Sequence, residues 1–441
     1  MKRLFLIEDT LANKISYYHL LLLLASLPFD MFYSHVYLIS FIIHTTIQFK
    51  KTYLKPVFTW QTLLLQSVFW VTVFSTIYTI NRPAAFNEWG KQIAILLFPL
   101  VFCFTGFDLK KYRTNLLLGF SIACTLTTLY LYYDALHIVL HYKLPLSTIF
   151  LYSFTNHNFA EPIQMHATFL SMQLVIALVY MVSTVIKKVK PIIKIFYLFC
   201  ALVLLAGVIQ LCSKSTLFCA FAIITFAVPY SLLQGKTRWK FILVAAAVSV
   251  VAGVVMLSST TFRDRIITTL QTDFTKPRAG ELFDPRLARW ETGLDLIVQK
   301  PIIGHGAGSE LGLLHDAFFA KKYYNSFLNN LNVHSEYLSF LIKSGVIGLL
   351  CYISTLAFGF RAALQKKDLL FFSFILLIAV VSFSENMMDV DKGIFFYAFF
   401  FSFFIFSAAE KKRITIKLKG NQTAKQPVIM IDTNIKELAP D

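Results

Sequence analysis

Apolar runs of about 20 residues recur along the whole chain, and they constrain the fold more than any other feature. A run of this length crosses a bilayer as a helix, because backbone N–H and C=O groups in lipid must pair within their own segment. Only 15% of the 441 residues are charged, against about 25% in soluble domains. The pattern predicts an all-α integral membrane protein. The 45 phenylalanines fit a lipid-facing surface better than a crowded core.

These runs define about twelve candidate transmembrane helices, and two long segments interrupt them. The predicted spans cover 13–28, 32–48, 57–80, 89–106, 115–136, 167–186, 192–212, 216–234, 240–258, 335–360, 368–385 and 393–408. The long segments are about 137–166 and 259–334, and the second contains a clear amphipathic helix. We therefore divide the chain into a bundle of about nine spans (1–258), a large loop (259–334), three further spans (335–408) and a basic tail (409–441).

The basic residues, which give a formal net charge of +17, lie in alternate short loops and near both termini. This distribution is typical of membrane topology and argues against nucleic-acid binding. By the positive-inside rule both termini are cytoplasmic, and the loop 259–334 lies on the outer face.

One amphipathic helix is predicted within this loop, with Asp284 as its N-cap and Pro285 at its first position. Apolar residues recur at helical spacing at Leu287, Trp290, Leu294, Ile297 and Val298. Arg286 and Arg289 lie in the first turn, where cations oppose the helix dipole. An anionic partner explains them; so does a membrane-surface helix whose arginines contact lipid headgroups.

Glycines and a histidine follow this helix. Gly304 and Gly306 begin an alternating run that presents N–H groups to phosphate oxygens or forms a tight turn. Asn332 is predicted as the N-cap of the next span, which places His334 in its first turn. The dipole there disfavours imidazolium, so we expect a neutral His334 that accepts a proton. The alternative is an interfacial histidine that only forms a hydrogen bond.

In combination these residues resemble the signature of the O-antigen ligase and polymerase superfamily. The matching pieces are Arg286-x-x-x-Trp290, Pro301-x-x-Gly304-x-Gly306, His334-Ser335-x-Tyr337-Leu338, Gly345-x-x-Gly348, Ser213-Lys214-Ser215 and His166-Ala167-Thr168. Three positions depart from the pattern. Lys214 replaces an arginine and so loses the bidentate fork, Ser335 replaces an asparagine, and Lys343 stands where an acidic residue is frequent.

The resemblance implies a GT-C-like glycosyltransferase of the bacterial inner membrane, with its catalytic loop in the periplasm. The expected donor is a glycan on a polyprenyl diphosphate such as undecaprenyl diphosphate. The expected acceptor is a hydroxyl group of lipid A-core or another glycan, as in lipopolysaccharide biosynthesis. Transfer is expected to invert the sugar and to need neither metal nor cofactor. The implied site comprises catalytic Arg286 and His334, diphosphate-binding Arg289, Lys214, Gly304 and Gly306, and acceptor or supporting His166, Ser335, Tyr337 and Glu385.

Several alternatives stay open. A surface-polysaccharide polymerase and a protein O-oligosaccharyltransferase share the same signature, and the sequence does not separate them from a ligase. A polysaccharide transporter or flippase is disfavoured, because few charges lie within spans and no duplicated halves are visible. The pair Asp389-Val390-Asp391 is a possible Mg²⁺ or Mn²⁺ ligand, but we interpret it as a turn between helices.

Overall fold

The computed structural model describes residues 2–187, 190–276, 278, 280, 284–408, 411–414 and 428–431. Within them the chain is helical apart from two short strands, β1 (Lys411–Ile414) and β2 (Val428–Ile431), which pair antiparallel. The remainder of the tail 409–441, which the sequence assigned to the cytoplasm, lies outside the described residues.

Twenty α-helices follow one another along the described chain. Those before the first long loop are α1 (Lys2–Phe5), α2 (Leu11–Ser26), α3 (Met31–Ile47), α4 (Trp60–Ser75), α5 (Arg82–Phe104) and α6 (Leu109–His141). Those of the central part are α7 (His157–Ala160), α8 (Ala167–Ile186), α9 (Pro191–Leu211), α10 (Lys214–Ala222), α11 (Val228–Leu232) and α12 (Gly235–Ser258). The others are α13 (Thr260–Arg263), α14 (Thr269–Asp273), α15 (Arg286–Gln299), α16 (Glu310–Ala320), α17 (Tyr324–Leu328), α18 (Glu336–Gln365), α19 (Leu369–Val381) and α20 (Asp391–Ala408).

Eight of the described helices are long and apolar enough to cross a membrane. They are α4 with the turn after it, α6, α8, α9, α10 joined to α11, α12, α18 and α20. The predicted all-α membrane fold class is therefore confirmed. Each of the twelve predicted spans coincides with a helix, but α3 and α19 are shorter apolar helices. The count of twelve spans stays a prediction.

Polar residues in the short connections begin many of these helices. A side-chain oxygen of the preceding residue accepts a hydrogen bond from a backbone N–H group of the first turn at α2 (Thr10), α3 (Asp30), α4 (Thr59), α5 (Asn81), α6 (Asp108) and α19 (Asp368). Such caps satisfy donors that the helix itself leaves free.

The centre of the bundle is formed by α8 and α20, nearly all of whose residues are buried. Seven phenylalanines of α20 lie inside the protein: Phe395, Phe396, Phe399, Phe400, Phe401, Phe403 and Phe404. Their rings form edge-to-face and tilted pairs, such as Phe98 with Phe395 at a centroid distance of 5.0 Å. The interpretation of the phenylalanines as lipid-facing surface is therefore wrong for this helix. In contrast, none of the described residues of α12 is buried.

Helix α18 is broken at Gly345, whose φ of 61° and ψ of −162° lie outside the helical region. The segment 301–306 fills the break. The N–H groups of His305 and Gly306 donate to the carbonyl groups of Ile342 and Lys343, each at 2.8 Å. In return, the N–H group of Val346 donates to the carbonyl group of Pro301 at 2.9 Å. A break inside a membrane helix is tolerated because this segment replaces the missing hydrogen bonds.

A buried ammonium group ties the same region to three other elements. Nζ of Lys343 lies 2.7 Å from Asp389, 3.7 Å from Glu88 and 3.9 Å from Glu310. These carboxylates belong to the α19–α20 connection, to α5 and to α16. The side-chain amide of Asn386 donates to Glu310 at 3.0 Å and to Asp389 at 3.1 Å. Lys343 thus faces the interior of the bundle, where burial of its charge is offset by several partners.

The substitution Gly345→Ala is expected to destabilise the protein by about 2–4 kcal/mol. Alanine is strained at this positive φ, and its β carbon would lie 2.2 Å from the carbonyl oxygen of Ile302. Gly253→Ala is the matched control, because no atom lies within 4 Å of a β carbon there. Thermal unfolding of the two variants in detergent checks this; equal midpoints would contradict a role for the break.

The substitution Lys343→Met is expected to cost about 3–5 kcal/mol, because it leaves buried carboxylates without their counter-charge. Lys321→Met removes an exposed ion pair with Asp295 and is expected to cost at most about 1 kcal/mol. The midpoints of thermal unfolding at neutral pH distinguish the two. If Lys343→Met and Lys321→Met lowered the unfolding midpoint equally, the buried network around Lys343 would not be the stabilising element.

Candidate functional site

A cavity of about 380 Å³ lies at the end of the bundle where α10 begins and α19 ends, which we call the site end. The segment from α13 to α15 contributes much of its lining. The charged and titratable lining residues are Lys214, Arg265, Arg286, Asp273, Glu385 and His157. Its apolar walls include Phe218, Leu270, Phe274, Trp290, Val380 and Phe383. Three cations and two carboxylates around one cavity of this size indicate a site for a charged ligand.

The spacing of Arg286 and Trp290 places both side chains on the same face of α15, about one turn apart. Both line the cavity, and the ring of Trp290 packs 5.7 Å from that of Phe274. The predicted N-cap is wrong by one residue, since α15 begins at Arg286 with Pro285 as its cap. The carboxylate of Asp284 instead accepts a hydrogen bond from the N–H group of Ser326 at 2.7 Å and anchors the loop.

The buried face of α15 differs from the predicted apolar stripe. Its buried residues are Ala288, Arg289, Thr292, Gly293, Leu296 and Ile297. Leu294 and Val298, which belong to the predicted stripe, are exposed. The small residues allow close packing, as a β carbon on Gly293 would lie 2.9 Å from Val333. The helix therefore packs into the loop and against the first part of α18.

Three arginines at or beside this cavity have hydrogen-bond donors that the described part of the protein does not use. The Nε atoms of Arg265, Arg286 and Arg289 are buried and have no hydrogen-bond partner among the described residues. Burial, with the nearby charge of Arg286, lowers the pKa of Arg289 to about 10; burial also lowers that of Arg265. Both groups remain cationic at neutral pH. Because unpaired buried donors are costly, this arrangement fits an anionic ligand that supplies several acceptor oxygens.

Lys214, the first residue of α10, also lines the cavity. Its Nζ lies 3.3 Å from the carboxylate of Asp273, which is itself buried. The ammonium group thus has a direct carboxylate partner, which the Nε atoms of the three arginines lack among the described residues. The structure therefore brings two of the predicted diphosphate ligands, Lys214 and Arg289, to the region around Arg286.

His334 lies in the connection before α18 with a left-handed backbone, φ 50°. Its placement in the first helical turn is wrong, because α18 begins at Glu336. Asn332 does not cap that helix; its side chain accepts a hydrogen bond from the N–H group of His334 at 3.1 Å. Nδ1 of His334 lies 3.8 Å from Oε2 of Glu385. This juxtaposition pairs an imidazole with a carboxylate at the edge of the cavity.

The environment keeps the imidazole neutral and the carboxylate ionised. Burial lowers the pKa of His334, and the charges of Arg289 and Arg286 lower it further, which outweighs the opposite effect of Glu385. Burial raises the pKa of Glu385, but its contact with His334 and neighbouring positive charges lower it more. Oε1 of Glu385 also accepts a hydrogen bond from Thr168 at 3.2 Å. At 3.8 Å the two groups are not hydrogen bonded, and Nδ1 of His334 has no hydrogen-bond partner among the described residues. A neutral imidazole beside a carboxylate is nevertheless a pair that can serve as a general base.

The neighbouring backbones fix this pair. The N–H group of Ser335 donates to the side-chain carbonyl of Asn386 at 2.8 Å, and each of these residues is the immediate neighbour of one member of the pair. Ser335 is buried and does not line the cavity. The hydroxyl group of Tyr337 donates to the carbonyl group of Ala379 at 2.7 Å, so this side chain links α18 to α19.

His166 lies directly before α8, beside the cavity. Burial is the main cause that lowers its pKa to about 4, so it is neutral near pH 7. Its ring centroid is 4.4 Å from that of His157, which lines the cavity. Its Nδ1 atom is buried without a hydrogen-bond partner among the described residues. The structure thus places His166 near Glu385, whose charge raises its pKa.

Gly304 and Gly306 are not brought to the cavity. Their N–H groups donate to the carbonyl groups of Lys300 at 3.0 Å and Lys343 at 2.8 Å, so neither is presented to a phosphate. Both have positive φ, and a β carbon on Gly306 would lie 2.3 Å from the Cα atom of Thr79. These glycines allow close packing of backbones, and we do not include them in the proposed site.

The Asp389 and Asp391 carboxylates have different partners. Asp389 pairs with Lys343, whereas Oδ2 of Asp391 lies 3.3 Å from Nε2 of His35. A 3₁₀ turn, Met387–Asp389, precedes Asp391, which begins α20. This geometry agrees with the interpretation of the pair as a turn between helices.

Three of the charged or histidine lining residues were not predicted from the sequence: Arg265, Asp273 and His157. Arg265 lies in a π-helical turn, Asp264–Thr268, a form that is frequent at functional sites. Neither apolar periodicity nor a capping pattern indicates that turn, and its distance from Arg286 along the chain hides their proximity. The only signal was a cationic residue in a loop that is predicted to lie on the outer face.

Comparison with known proteins gives one family match. Residues 200–353 match the family model described as O-Antigen ligase, a family of glycosyltransferase-like ligases and polymerases. A search of curated proteins found no match. The matched region runs from α9 into α18 and contains Lys214, Arg286 and His334. It confirms the superfamily resemblance for this region, and the chain is a multi-span membrane protein with a region similar to the O-antigen ligase family.

Proposed function

We propose that the protein is a glycosyltransferase of the O-antigen ligase type, which transfers a glycan from a polyprenyl diphosphate to a hydroxyl group of lipid A-core. One observation carries this proposal. Arginines whose buried Nε atoms have no hydrogen-bond partner among the described residues lie around a cavity whose edge holds the His334–Glu385 pair. The first feature suits a departing diphosphate, and the second suits a hydroxyl group that must lose its proton.

The reaction requires both features at once. The acceptor oxygen attacks the anomeric carbon and forms the new glycosidic bond, while the bond between that carbon and the diphosphate oxygen breaks. The electron pair of the broken bond stays on the diphosphate, and the hydroxyl proton passes to His334. Attack opposite the leaving group inverts the anomeric configuration. No nucleotide or metal ion takes part in this scheme.

The cations stabilise the charge that gathers on the diphosphate. Arg286 lines the cavity directly, and Arg289 lies behind it on the same helix. Arg265, which the sequence did not reveal, contributes a third guanidinium group, and Lys214 contributes an ammonium group. Guanidinium groups bind two phosphate oxygens at once through a planar fork, which favours the arginines as the principal ligands.

His334 is the proposed general base, and Glu385 is its positioning residue. A carboxylate beside Nδ1 favours the tautomer with the proton on that atom, which leaves Nε2 to accept the acceptor's proton. The nearby carboxylate also stabilises the imidazolium ion that forms. His166, with its low pKa, is proposed to support the acceptor side of the cavity.

The proposed orientation places the site end in the periplasm. Basic residues concentrate at the opposite end of the bundle, where Lys110, Lys187, Lys366 and Lys367 surround the ends of the helices. By the positive-inside rule that end is cytoplasmic. Lipid-linked glycans assembled for the cell surface are then accessible from the side of the membrane where the cavity opens.

In a strain that lacks this protein, we expect glycan chains to accumulate on carrier lipid and surface attachment to be lost. The wild-type protein restores attachment, whereas Arg286→Gln lowers transfer by about 10²–10³-fold and His334→Gln by about 10²–10⁴-fold. Banding of surface polysaccharide, with immunodetection of the membrane protein, measures transfer and insertion together.

Arg263→Gln is the matched control, because Arg263 is an exposed cation of the same loop that does not line the cavity. It is expected to restore attachment fully. Normal transfer by both site variants would remove the proposed site. Accumulation of single-repeat products in the deletion strain would instead assign polymerase activity to the protein.

The pH dependence of transfer is expected to report the pKa of His334. Because the base must be neutral, activity falls as pH drops through that pKa, which lies below the usual value of 6.5. Arg289→Gln removes a positive neighbour and should move this acid limb to higher pH. Glu385→Gln removes a negative neighbour and should move it to lower pH, each by about half a unit or more.

Initial rates with purified protein and lipid-linked donor, measured between about pH 4.5 and 8 in the presence of a chelator, check these opposite shifts. Arg263→Gln again serves as control and should leave the profile in place. Shifts of the same sign in both variants, or none in either, would mean that another group governs the acid limb.

A further inference from the structure

A second cavity, of about 580 Å³, lies at the opposite end of the bundle. We call this the lysine end; it is formed where α6 and α19 begin and where α8, α18 and α20 end. Its charged lining residues are Lys110, Arg113, Lys187, Lys366, Lys367 and Asp368. Tyr180, Tyr197, Ser183 and Thr184 add hydroxyl groups to the lining. Five cations thus face one carboxylate in the described lining.

That carboxylate is already engaged. Arg113 holds Asp368 through two contacts, from Nη2 to Oδ1 at 2.8 Å and from Nη1 to Oδ2 at 2.6 Å. Asp368 also caps α19 by accepting a hydrogen bond from the N–H group of Phe371 at 3.2 Å. Asp368 therefore does not balance the positive charge of Lys187, Lys366 and Lys367, which line the cavity as well. Like charges around one cavity repel each other unless an anion enters.

An apolar crevice of about 920 Å³ adjoins this cavity and shares Lys367, Asp368 and Leu369 with it. Its other walls include Phe226, Trp239, Ile242, Leu364, Phe372 and Leu376. The crevice lies between the α18–α19 region and the helices α10 to α12. No described residue of α12 is buried, although Trp239 and Ile242 line the crevice, so this helix forms an open wall on one side of it.

From these two cavities we infer a binding site for an anionic phospholipid, with its phosphate group among the lysines and an acyl chain in the crevice. A phosphate group supplies negative charge and acceptor oxygens to the ammonium groups. The adjoining apolar walls suit a hydrocarbon chain, which no soluble anion carries. Basic pockets between membrane helices bind anionic lipid headgroups by this combination. The site is separate from the catalytic cavity, and its existence does not depend on the proposed reaction.

The position of the lysines distinguishes this site from a general attraction to the membrane. Lys236 and Lys240 are exposed cations on α12, near the same end of the bundle, but they line neither cavity. A general surface potential acts on these two lysines as it does on Lys366 and Lys367. Only the second pair faces the cavity, so a difference between the two pairs isolates the binding site.

The test compares two double variants of the full chain in detergent, Lys366→Gln/Lys367→Gln and the control Lys236→Gln/Lys240→Gln. Phosphatidylglycerol retained on each protein is counted by native mass spectrometry, and its affinity is measured from the shift in thermal unfolding. The wild type and the control should bind phosphatidylglycerol in preference to phosphatidylcholine. The variant Lys366→Gln/Lys367→Gln should bind phosphatidylglycerol at least about tenfold more weakly than the wild type.

A third variant, Ala227→Phe, narrows the apolar crevice without changing charge and should also weaken phosphatidylglycerol binding. Adding inorganic phosphate instead of lipid distinguishes a site for a phospholipid headgroup from a site for a soluble anion. Stabilisation by phosphate that matches that by phosphatidylglycerol, with Ala227→Phe unaffected, would assign the lysines to a soluble ligand and overturn the lipid site. Equal weakening in both double variants, or equal binding of phosphatidylcholine by the wild type, would also overturn it.

Discussion

The backbone hydrogen bonds between segment 301–306 and the break in α18 are the constraint on which the rest of the structure depends. Unpaired backbone groups cost several kcal/mol each in a bilayer, so the broken helix must be completed by another part of the chain. That segment follows α15 directly, and His334 lies just before α18. One junction therefore fixes both the helix that carries Arg286 and the connection that carries His334, although the two residues are far apart in sequence.

The buried charges around Lys343 extend this arrangement to the last connection of the bundle. Lys343 lies two residues before Gly345, where α18 is broken, and pairs with Asp389, while Asn386 contacts both Glu310 and Asp389. The hydrogen bond from Ser335 to Asn386 then sets the distance between the adjacent residues, His334 and Glu385. Positive and negative groups that never contact a substrate thus determine the geometry of the proposed base. Removal of one partner leaves the others charged and buried, which makes this network costly to disturb.

The two ends of the bundle use cations in different ways. At the site end, arginines with buried Nε atoms are held by secondary structure around a small cavity, which suits stabilisation of a charge that develops during a reaction. At the lysine end, flexible ammonium groups surround a larger cavity beside an apolar crevice, which suits a lipid that stays bound. Helices α18 and α19 reach both ends.

By itself the sequence determined the all-α membrane fold, the positions of the helices and the pairing of Arg286 with Trp290, because span length and helical spacing are local properties. It also identified Glu385 as a weak supporting position without indicating its contact with His334. Only the tertiary structure decided that Arg265 and Asp273 enter the cavity, that Gly304 and Gly306 do not, and that the phenylalanines of α20 form the core. These outcomes depend on contacts between segments distant along the chain, which periodicity does not encode.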